Sequence, residues 1–148
     1  MRAVVIDKSG EWWTATEATD LVEYLQDYRA GGYKVDDVIL AVCSTCSSEE
    51  GFQVRFDPDE GYVQRTCASC KTETVMLDGA EIEGDADPQS LRCLCGGRTF
   101  DIAVGFARRR REVRWVSVGT RCRKDGTIGS PADWKIDYSP SAYLPQTV

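Results

Sequence analysis

Four of the seven cysteines occur as two matched pairs, and their spacing constrains the fold more than any other feature of this 148-residue chain. Cys43 and Cys46 form the first pair, Cys67 and Cys70 form the second, and twenty residues separate the pairs. Two residues between ligands let a tight turn direct both sulfur atoms at one ion, and four thiolates complete a tetrahedron around zinc. The spacing therefore predicts a zinc site held by these four cysteines.

The segment between the two pairs has the pattern of a β-hairpin. Phe52, Val54 and Phe56 alternate with polar residues, as in a half-buried strand. Residues 57–61 have turn composition, and residues 62–66 have the composition of a returning strand. Two cysteine turns joined by a hairpin resemble a zinc ribbon, and the resemblance covers residues 43–70. It implies a metal-binding module without indicating what the module does.

The pattern recurs in the second half of the chain. Cys93 and Cys95 precede an uninterrupted alternation of apolar residues over 99–106, which predicts a strand. A turn is expected over 108–112 and a return strand over 113–120. Cys122 follows where the second cysteine turn belongs, and the recurrence predicts a second, degenerate copy of the ribbon-like unit.

Three alternatives remain open for this second half. In the first, Cys93, Cys95, Cys122 and Asp125 bind a second zinc ion, with Asp125 at the position that Cys70 occupies in the first unit. In the second, the unit has lost its metal and its cysteines serve as small buried apolar residues. In the third, Cys93 and Cys95 join one of the earlier cysteine turns.

The rest of the chain predicts a fold of the α+β class, mainly antiparallel β, in which duplicated zinc-ribbon-like hairpins follow a short N-terminal strand–helix segment. The helix is expected over 21–30, begun by a capping box of Asp20 and Glu23 and ended by two glycines. The further expected elements are strands at 2–6, 11–14, 38–42 (buried) and 73–77, a mobile acidic loop at 78–89 and an edge strand at 134–138. The units are residues 1–42, 43–77 and 91–138, joined in one compact domain with 139–148 as a loosely attached tail.

Composition restricts the chemistry. The chain has no histidine, which excludes the usual general base and every Ser-His or Cys-His nucleophile. Its start has only a short apolar run, and no stretch approaches the length of a membrane span, so we expect a cytoplasmic protein with no membrane partner. Seven thiols in that compartment favour metal ligands over disulfides.

The net charge of −6 is unevenly distributed along the chain. Residues 1–90 carry 7 basic and 19 acidic side chains, whereas residues 91–148 carry 11 basic and 5 acidic ones. Because the excess is negative, we expect a protein partner, and a basic one suits the acidic half. These features predict a non-catalytic zinc protein that acts as an interaction module.

Two other functions compete with this interpretation. The first is nucleic-acid binding, in which the turn Arg108-Arg109-Arg110-Arg111 and Arg114 would contact phosphates while Trp115 stacks on a base. The second is a zinc enzyme, in which Cys93, Cys95 and Cys122 hold an ion with a bound water and Glu112 serves as the base. No recognisable catalytic motif accompanies that cluster, so we expect no enzymatic activity.

Overall fold

The computed structural model describes residues 6–148, which contain an eight-stranded antiparallel sheet, a two-stranded sheet and one α-helix. The strands, numbered in chain order, are β1 (Ile6–Asp7), β2 (Thr14–Ala15), β3 (Asp37–Leu40), β4 (Phe52–Asp57), β5 (Tyr62–Cys67), β6 (Glu73–Val75), β7 (Gln89–Ser90), β8 (Phe100–Arg109), β9 (Glu112–Cys122) and β10 (Ile128–Lys135). The helix is α1 (Asp20–Tyr28), and short 3-10 turns cover Ala30–Gly32, Gly79–Glu81 and Leu144–Thr147.

The large sheet unites the two predicted hairpins. Its strands lie in the order β10-β9-β8-β4-β5-β6, while β3 pairs with β8 and β7 pairs with β4. The prediction of an α+β fold that is mainly antiparallel β is therefore confirmed. The hairpin strands expected over 52–56, 62–66, 99–106 and 113–120 correspond to β4, β5, β8 and β9.

Strand β8 is buried on both faces, although its sequence alternates like that of a half-buried strand. Phe106 and Val104 point into the main core, and Ala103 and Gly105, which alternate with them on the other face, are buried as well. The reason is that α1 packs Leu25 across β8 and β9. The approach is closest at Gly119, where a Cβ atom would lie 3.0 Å from Leu25 Cδ2, so any larger residue would require Leu25 to shift.

The helix forms where it is predicted, but its start differs from the expected capping box. Asp20 is the first helical residue, and its Oδ2 accepts hydrogen bonds from the backbone N–H groups of Thr16 and Glu17, at 3.1 and 3.0 Å. The carboxylate thus fixes the turn before the helix. The helix ends at Tyr28, two residues before the expected end, and the next residue, Arg29, adopts the left-handed conformation with φ of 48°.

Two strand predictions need correction. The expected buried strand over 38–42 is the shorter β3, in which Ile39 is 37% exposed, and Val42 beyond it is 55% exposed. Among residues 6–148, β3 pairs only with β8, so its other edge stays open and its apolar run is half covered. Of the strand expected over 11–14, only Thr14 lies in a strand. The strand expected over 2–6 lies outside the described residues except for Ile6.

The connecting segments are also more ordered than expected. The acidic loop is tied to the sheet, because Gln89–Ser90 pairs with β4 and Tyr138 Oη donates to Asp78 Oδ2 at 2.9 Å. The turn expected over 108–112 shrinks to Arg110 and Arg111, since β8 and β9 extend towards each other. The last residues are docked, with Leu144 fully buried in the main core.

Candidate metal centres

The first cysteine cluster lies where two turns meet at one end of the β4–β5 hairpin. Cys43 and Cys46 belong to the turn that follows β3, Cys67 ends β5, and Cys70 belongs to the next turn. The four sulfur atoms lie within 4.8 Å of one another. The Sγ atoms are 3.6 Å apart both for Cys43 and Cys70 and for Cys46 and Cys67.

These separations fit a shared metal ion. A disulfide would bring two sulfur atoms to about 2.05 Å, whereas sulfur atoms bound at 2.3 Å to one tetrahedral zinc lie about 3.8 Å apart. All seven cysteines are free. The structure thus brings the four cysteines together at a spacing that one ion can bridge.

Both turns of this cluster have the same backbone design. The N–H group of Ser47 donates to the carbonyl of Cys43 at 2.9 Å, and the N–H group of Lys71 donates to that of Cys67 at 3.0 Å. Ser47 and Lys71 adopt positive φ values of 55° and 65°. This tight return directs both sulfur atoms of a pair to the same side of the turn.

Hydrogen bonds and a buried cation prepare the first cluster for negative charge. The Thr72 hydroxyl group, 3.1 Å from Cys70 Sγ, together with the Thr72 backbone N–H, lowers the pKa of the Cys70 thiol to about 6. Arg65 is buried, with its guanidinium carbon 4.8 Å from the centre of the Phe52 ring. Burial lowers the pKa of Arg65, but the charges of Cys43 and Cys67 act in the opposite direction. Because a divalent ion with four thiolates carries a net charge of about −2, the Arg65 cation offsets part of it.

The second cluster occupies the same end of the β8–β9 hairpin. Cys93 and Cys95 lie in the loop before β8, Cys122 ends β9, and Asp125 belongs to the following turn. Cys95 and Cys122 have their Sγ atoms 3.6 Å apart, and Cys93 Sγ lies 3.5 Å from Asp125 Oδ1. One donor atom from each of the four residues lies within 4.8 Å of the others. Cys93 and Cys95 therefore join Cys122 and not the earlier turns, which removes the third alternative above.

The turn around Asp125 repeats the turn around Cys70. The Gly126 N–H donates to the carbonyl of Cys122 at 2.8 Å, as that of Lys71 does to Cys67. The Cys122 N–H in turn donates to the carbonyl of Thr127 at 2.8 Å. The Cys67 N–H donates in the same way to the carbonyl of Thr72. Asp125 thus occupies the structural position of Cys70.

The carboxyl group of Asp125 is suited to bind a cation. Burial raises its pKa, but hydrogen bonds from the backbone and side chain of Thr127 outweigh burial and lower the pKa to about 2. Burial also raises the pKa of the nearby Cys122 thiol to about 12 in the metal-free protein. Metal binding at neutral pH would consequently displace a proton from Cys122.

Sequence reasoning missed two residues that shape these clusters. Arg65 lies on a strand with no signal beyond its charge. Gly97 donates its N–H to Cys95 Sγ at 3.3 Å, and a Cβ atom in its place would lie 2.7 Å from Cys122 Sγ. The glycine pair that follows Cys95 is the signal that could have indicated such a close approach.

The residues considered for nucleic-acid contact gather at the opposite end of the β8–β9 hairpin. Arg109, Arg110 and Arg111 are exposed there. Arg108 instead forms an ion pair with Asp37, and Trp115 packs on Gly31 while donating Nε1–H to Asp133 Oδ1 at 3.1 Å. Arg114 stacks on Tyr33, 4.1 Å from the ring centre. Arg108 and Trp115 are therefore committed to contacts within the chain.

Glu112 cannot serve as the base for a water at the second cluster. Glu112 is the first residue of β9 and Cys122 is the last. The strand has 11 residues, and at a rise of about 3.3 Å per residue its two ends lie about 30 Å apart. The carboxylate of Glu112 instead accepts hydrogen bonds from Ser139 and Ser141. The predicted role for Glu112 is wrong.

No protein-family model matches this chain, and comparison with curated proteins and with solved structures gives no significant match to either. Within residues 6–148, no helix is both long enough and apolar enough to cross a membrane.

Proposed function

We propose that this chain is a non-catalytic zinc protein in which two ribbon-like hairpins, each closed by one ion, hold a rigid surface for a macromolecular partner. The observation that carries the proposal is the presence of two separate sets of four donor atoms, each within 4.8 Å. Four protein donors leave no coordination position for water or substrate, which is the arrangement of structural zinc sites.

The donor types support zinc as the ion. Tetrahedral sets rich in thiolate suit zinc or iron–sulfur centres, and a carboxylate oxygen is an ordinary zinc ligand. Zinc therefore accounts for the all-sulfur set around Cys43 and for the mixed set that includes Asp125. One kind of ion serves both.

The repeated backbone contacts support the proposal that the hairpins are copies of one unit. Phe52 lies opposite Cys67 in the first hairpin, and Phe100 lies opposite Cys122 in the second. Matching turns follow Cys67 and Cys122. Duplication of one metal-closed hairpin explains why the same end of each hairpin carries its donor set.

Exposed apolar side chains on the metal-holding turns favour a protein partner. Leu94, between Cys93 and Cys95, is 81% exposed, and Val42, directly before Cys43, is 55% exposed. A bound ion would restrict the motion of both turns, so that little conformational entropy remains to be lost on docking. The acidic excess of residues 1–90 favours a partner with a basic surface around its apolar contacts.

Elemental analysis of cysteine variants tests the metal assignment. We expect two zinc ions per native chain, one in Cys67→Ser and one in Cys122→Ser, because each substitution opens one set only. Cys67→Ser and Cys122→Ser chains that both keep two ions would contradict the assignment. Each variant is the control for the other, because Cys67 and Cys122 occupy equivalent positions: each ends a strand and lies opposite a phenylalanine.

A second experiment tests the partner class. In cross-linking of the tagged protein in its native cells, Leu94→Glu and Val42→Glu should lose the proteins that the native chain captures, whereas Tyr28→Glu, also an exposed apolar position, should keep them. Gel-shift assays over a salt series should show no retention of nucleic acid. Salt-dependent retention that requires the arginine turn would replace the protein partner with a nucleic acid.

A further inference from the structure

A large cavity lies at the hairpin end remote from the second metal cluster. Its volume is about 620 Å³, and the end of β8, the start of β9 and the residues that follow β10 enclose it. Four cationic side chains line it: Arg109, Arg110, Arg114 and Lys135. In a chain with a net charge of −6, such a concentration of positive charge around one cavity calls for a ligand.

Three arginines of the described residues are engaged in ion pairs, whereas the four lining cations are not. Arg108 pairs with Asp37, while Arg121 and Arg123 share Asp101. Within residues 6–148 none of the four lining cations forms an ion pair, and the buried Nε of Arg114 has no hydrogen-bond acceptor. The charged donors of these side chains that face the cavity therefore remain available to an oxyanion of a ligand.

The carboxylates that line the cavity compensate only half of its positive charge. Those residues are Glu112 and Asp137. The Oε atoms of Glu112 accept hydrogen bonds from Ser139 and Ser141, which hold the segment after β10 in place as one wall. Asp137 is exposed. Four cations against two carboxylates leave an excess of positive charge in the cavity.

Arg114 is held in position before any ligand arrives. Its guanidinium group lies 4.1 Å from the centre of the Tyr33 ring, and Tyr33 contacts Trp115 with ring centres 5.9 Å apart. Trp115 is fixed in turn by its hydrogen bond to Asp133. A stacked, planar guanidinium loses little further freedom when it binds two oxygen atoms of one group, the geometry that phosphate offers.

We infer that this cavity binds a phosphate-bearing small molecule of about nucleotide size. Several cations around one opening match a ligand with several negative charges, whereas a monocarboxylate would need only one. The volume lies within the range of about 300–1,000 Å³ that small-molecule sites occupy. The site is independent of the metal, from which β9 separates it by about 30 Å.

Isothermal titration of the metal-loaded full chain tests the inference, with ATP, pyrophosphate and adenosine as probes. We expect ATP and pyrophosphate to bind and adenosine not to bind, since the cations recognise the phosphates. Arg114→Gln and Lys135→Gln should each weaken ATP binding by about tenfold or more, because each removes a charged donor. Arg111→Gln is the matched control: it removes the same charge next to the lining residue Arg110 but does not itself line the cavity.

The outcomes separate a built site from general attraction. Absence of ATP binding would overturn the inference, and so would an equal loss of affinity in Arg111→Gln. Tight binding of a single-stranded oligonucleotide that Lys135→Gln leaves unchanged would also overturn it. If Arg114→Gln fails to fold, Arg109→Gln and Lys135→Gln carry the test, since both positions are exposed. Zinc content measured on the same samples keeps this result distinct from the metal assignment.

Discussion

Phe52 and Phe100 lie directly opposite each other where β4 pairs with β8. Each also lies opposite the cysteine that ends the return strand of its own hairpin, Cys67 or Cys122. An antiparallel contact between two equivalent residues is what a local twofold axis produces. The two hairpins therefore meet at the ends that carry the candidate metal clusters, and by this correspondence Asp125 stands where Cys70 does.

The first prediction concerns Asp125, the single carboxylate among the eight candidate metal donors. Asp125→Ala should lose the second ion and keep the first, because only one donor set is opened. Asp125→Cys should bind the second ion about an order of magnitude more tightly than the native chain, since it completes a set of four soft thiolates. Competition with a chromophoric zinc chelator measures both effects. Asp59→Ala, at an exposed turn, is the control, and an Asp125→Ala chain with two tightly held ions would refute the prediction.

The second prediction concerns the buried cation beside the first cluster. Arg65→Met should weaken the first zinc ion about tenfold while leaving the second unchanged, because it removes a positive charge that neighbours Cys43 and Cys67. The same chelator competition applies. Arg55→Met, an exposed arginine two residues from β4's end, should change neither ion. Equal zinc affinities in Arg65→Met and the native chain would show that the cluster needs no such cation.

The third prediction concerns pH and the wall held by Glu112. Hydrogen bonds from Ser141, chiefly from its hydroxyl, lower the pKa of Glu112 below its ordinary value of 4.5. A carboxyl group with a lowered folded-state pKa stabilises the fold fully above its unfolded-state pKa, and the contribution is lost as pH falls through the lowered value. Glu112→Gln should therefore be less stable than the native chain above pH 4.5, and the difference should shrink below it.

Urea unfolding of the two chains across this pH range measures the difference. Metal loss in acid affects both chains alike and cancels in the comparison. Glu60→Gln, at an exposed turn, should show no pH-dependent difference from the native chain. If the stability difference between Glu112→Gln and the native chain did not change with pH, the ionised carboxylate of Glu112 would not be what stabilises this wall.

The fourth prediction concerns the contact between the helix and the sheet. A Cβ atom at Gly119 would lie 3.0 Å from Leu25 Cδ2, so the fully buried Leu25 must shift by a few tenths of an ångström to admit Gly119→Ala. We expect a loss of about 1–3 kcal/mol in the free energy of unfolding. Gly129→Ala in β10 meets no atom within 4 Å and should cost less than about 0.5 kcal/mol. Similar losses of unfolding free energy in the two variants would mean that α1 can move away from the sheet at little cost.

The sequence predicted well those features that depend on local pattern. The alternation of Phe52, Val54 and Phe56 identified β4, because a strand with one face buried must alternate. The spacing of the cysteine pairs likewise identified residues that the structure brings together, since a tight turn fixes where two sulfur atoms point. The match of Asp125 to Cys70 followed from the same turn length.

Features that depend on contacts distant in sequence could not be predicted. Nothing in β8 itself shows that α1 will cover its second face, on which Ala103 and Gly105 lie buried. The run before Cys43 looked buried because its composition is apolar, whereas β3 has an open edge. The last residues have a loop-like composition, yet Leu144 fills a gap in the main core that only the assembled sheet creates.

Native mass spectrometry of protein purified without added metal or chelator tests the central claim most directly. We predict a mass that exceeds the chain by two zinc ions, less the protons displaced from the thiols, with both ions lost on acidification. A chain that carries no ion while its circular dichroism still shows an intact β-sheet would contradict the account, as would cysteines paired in disulfides.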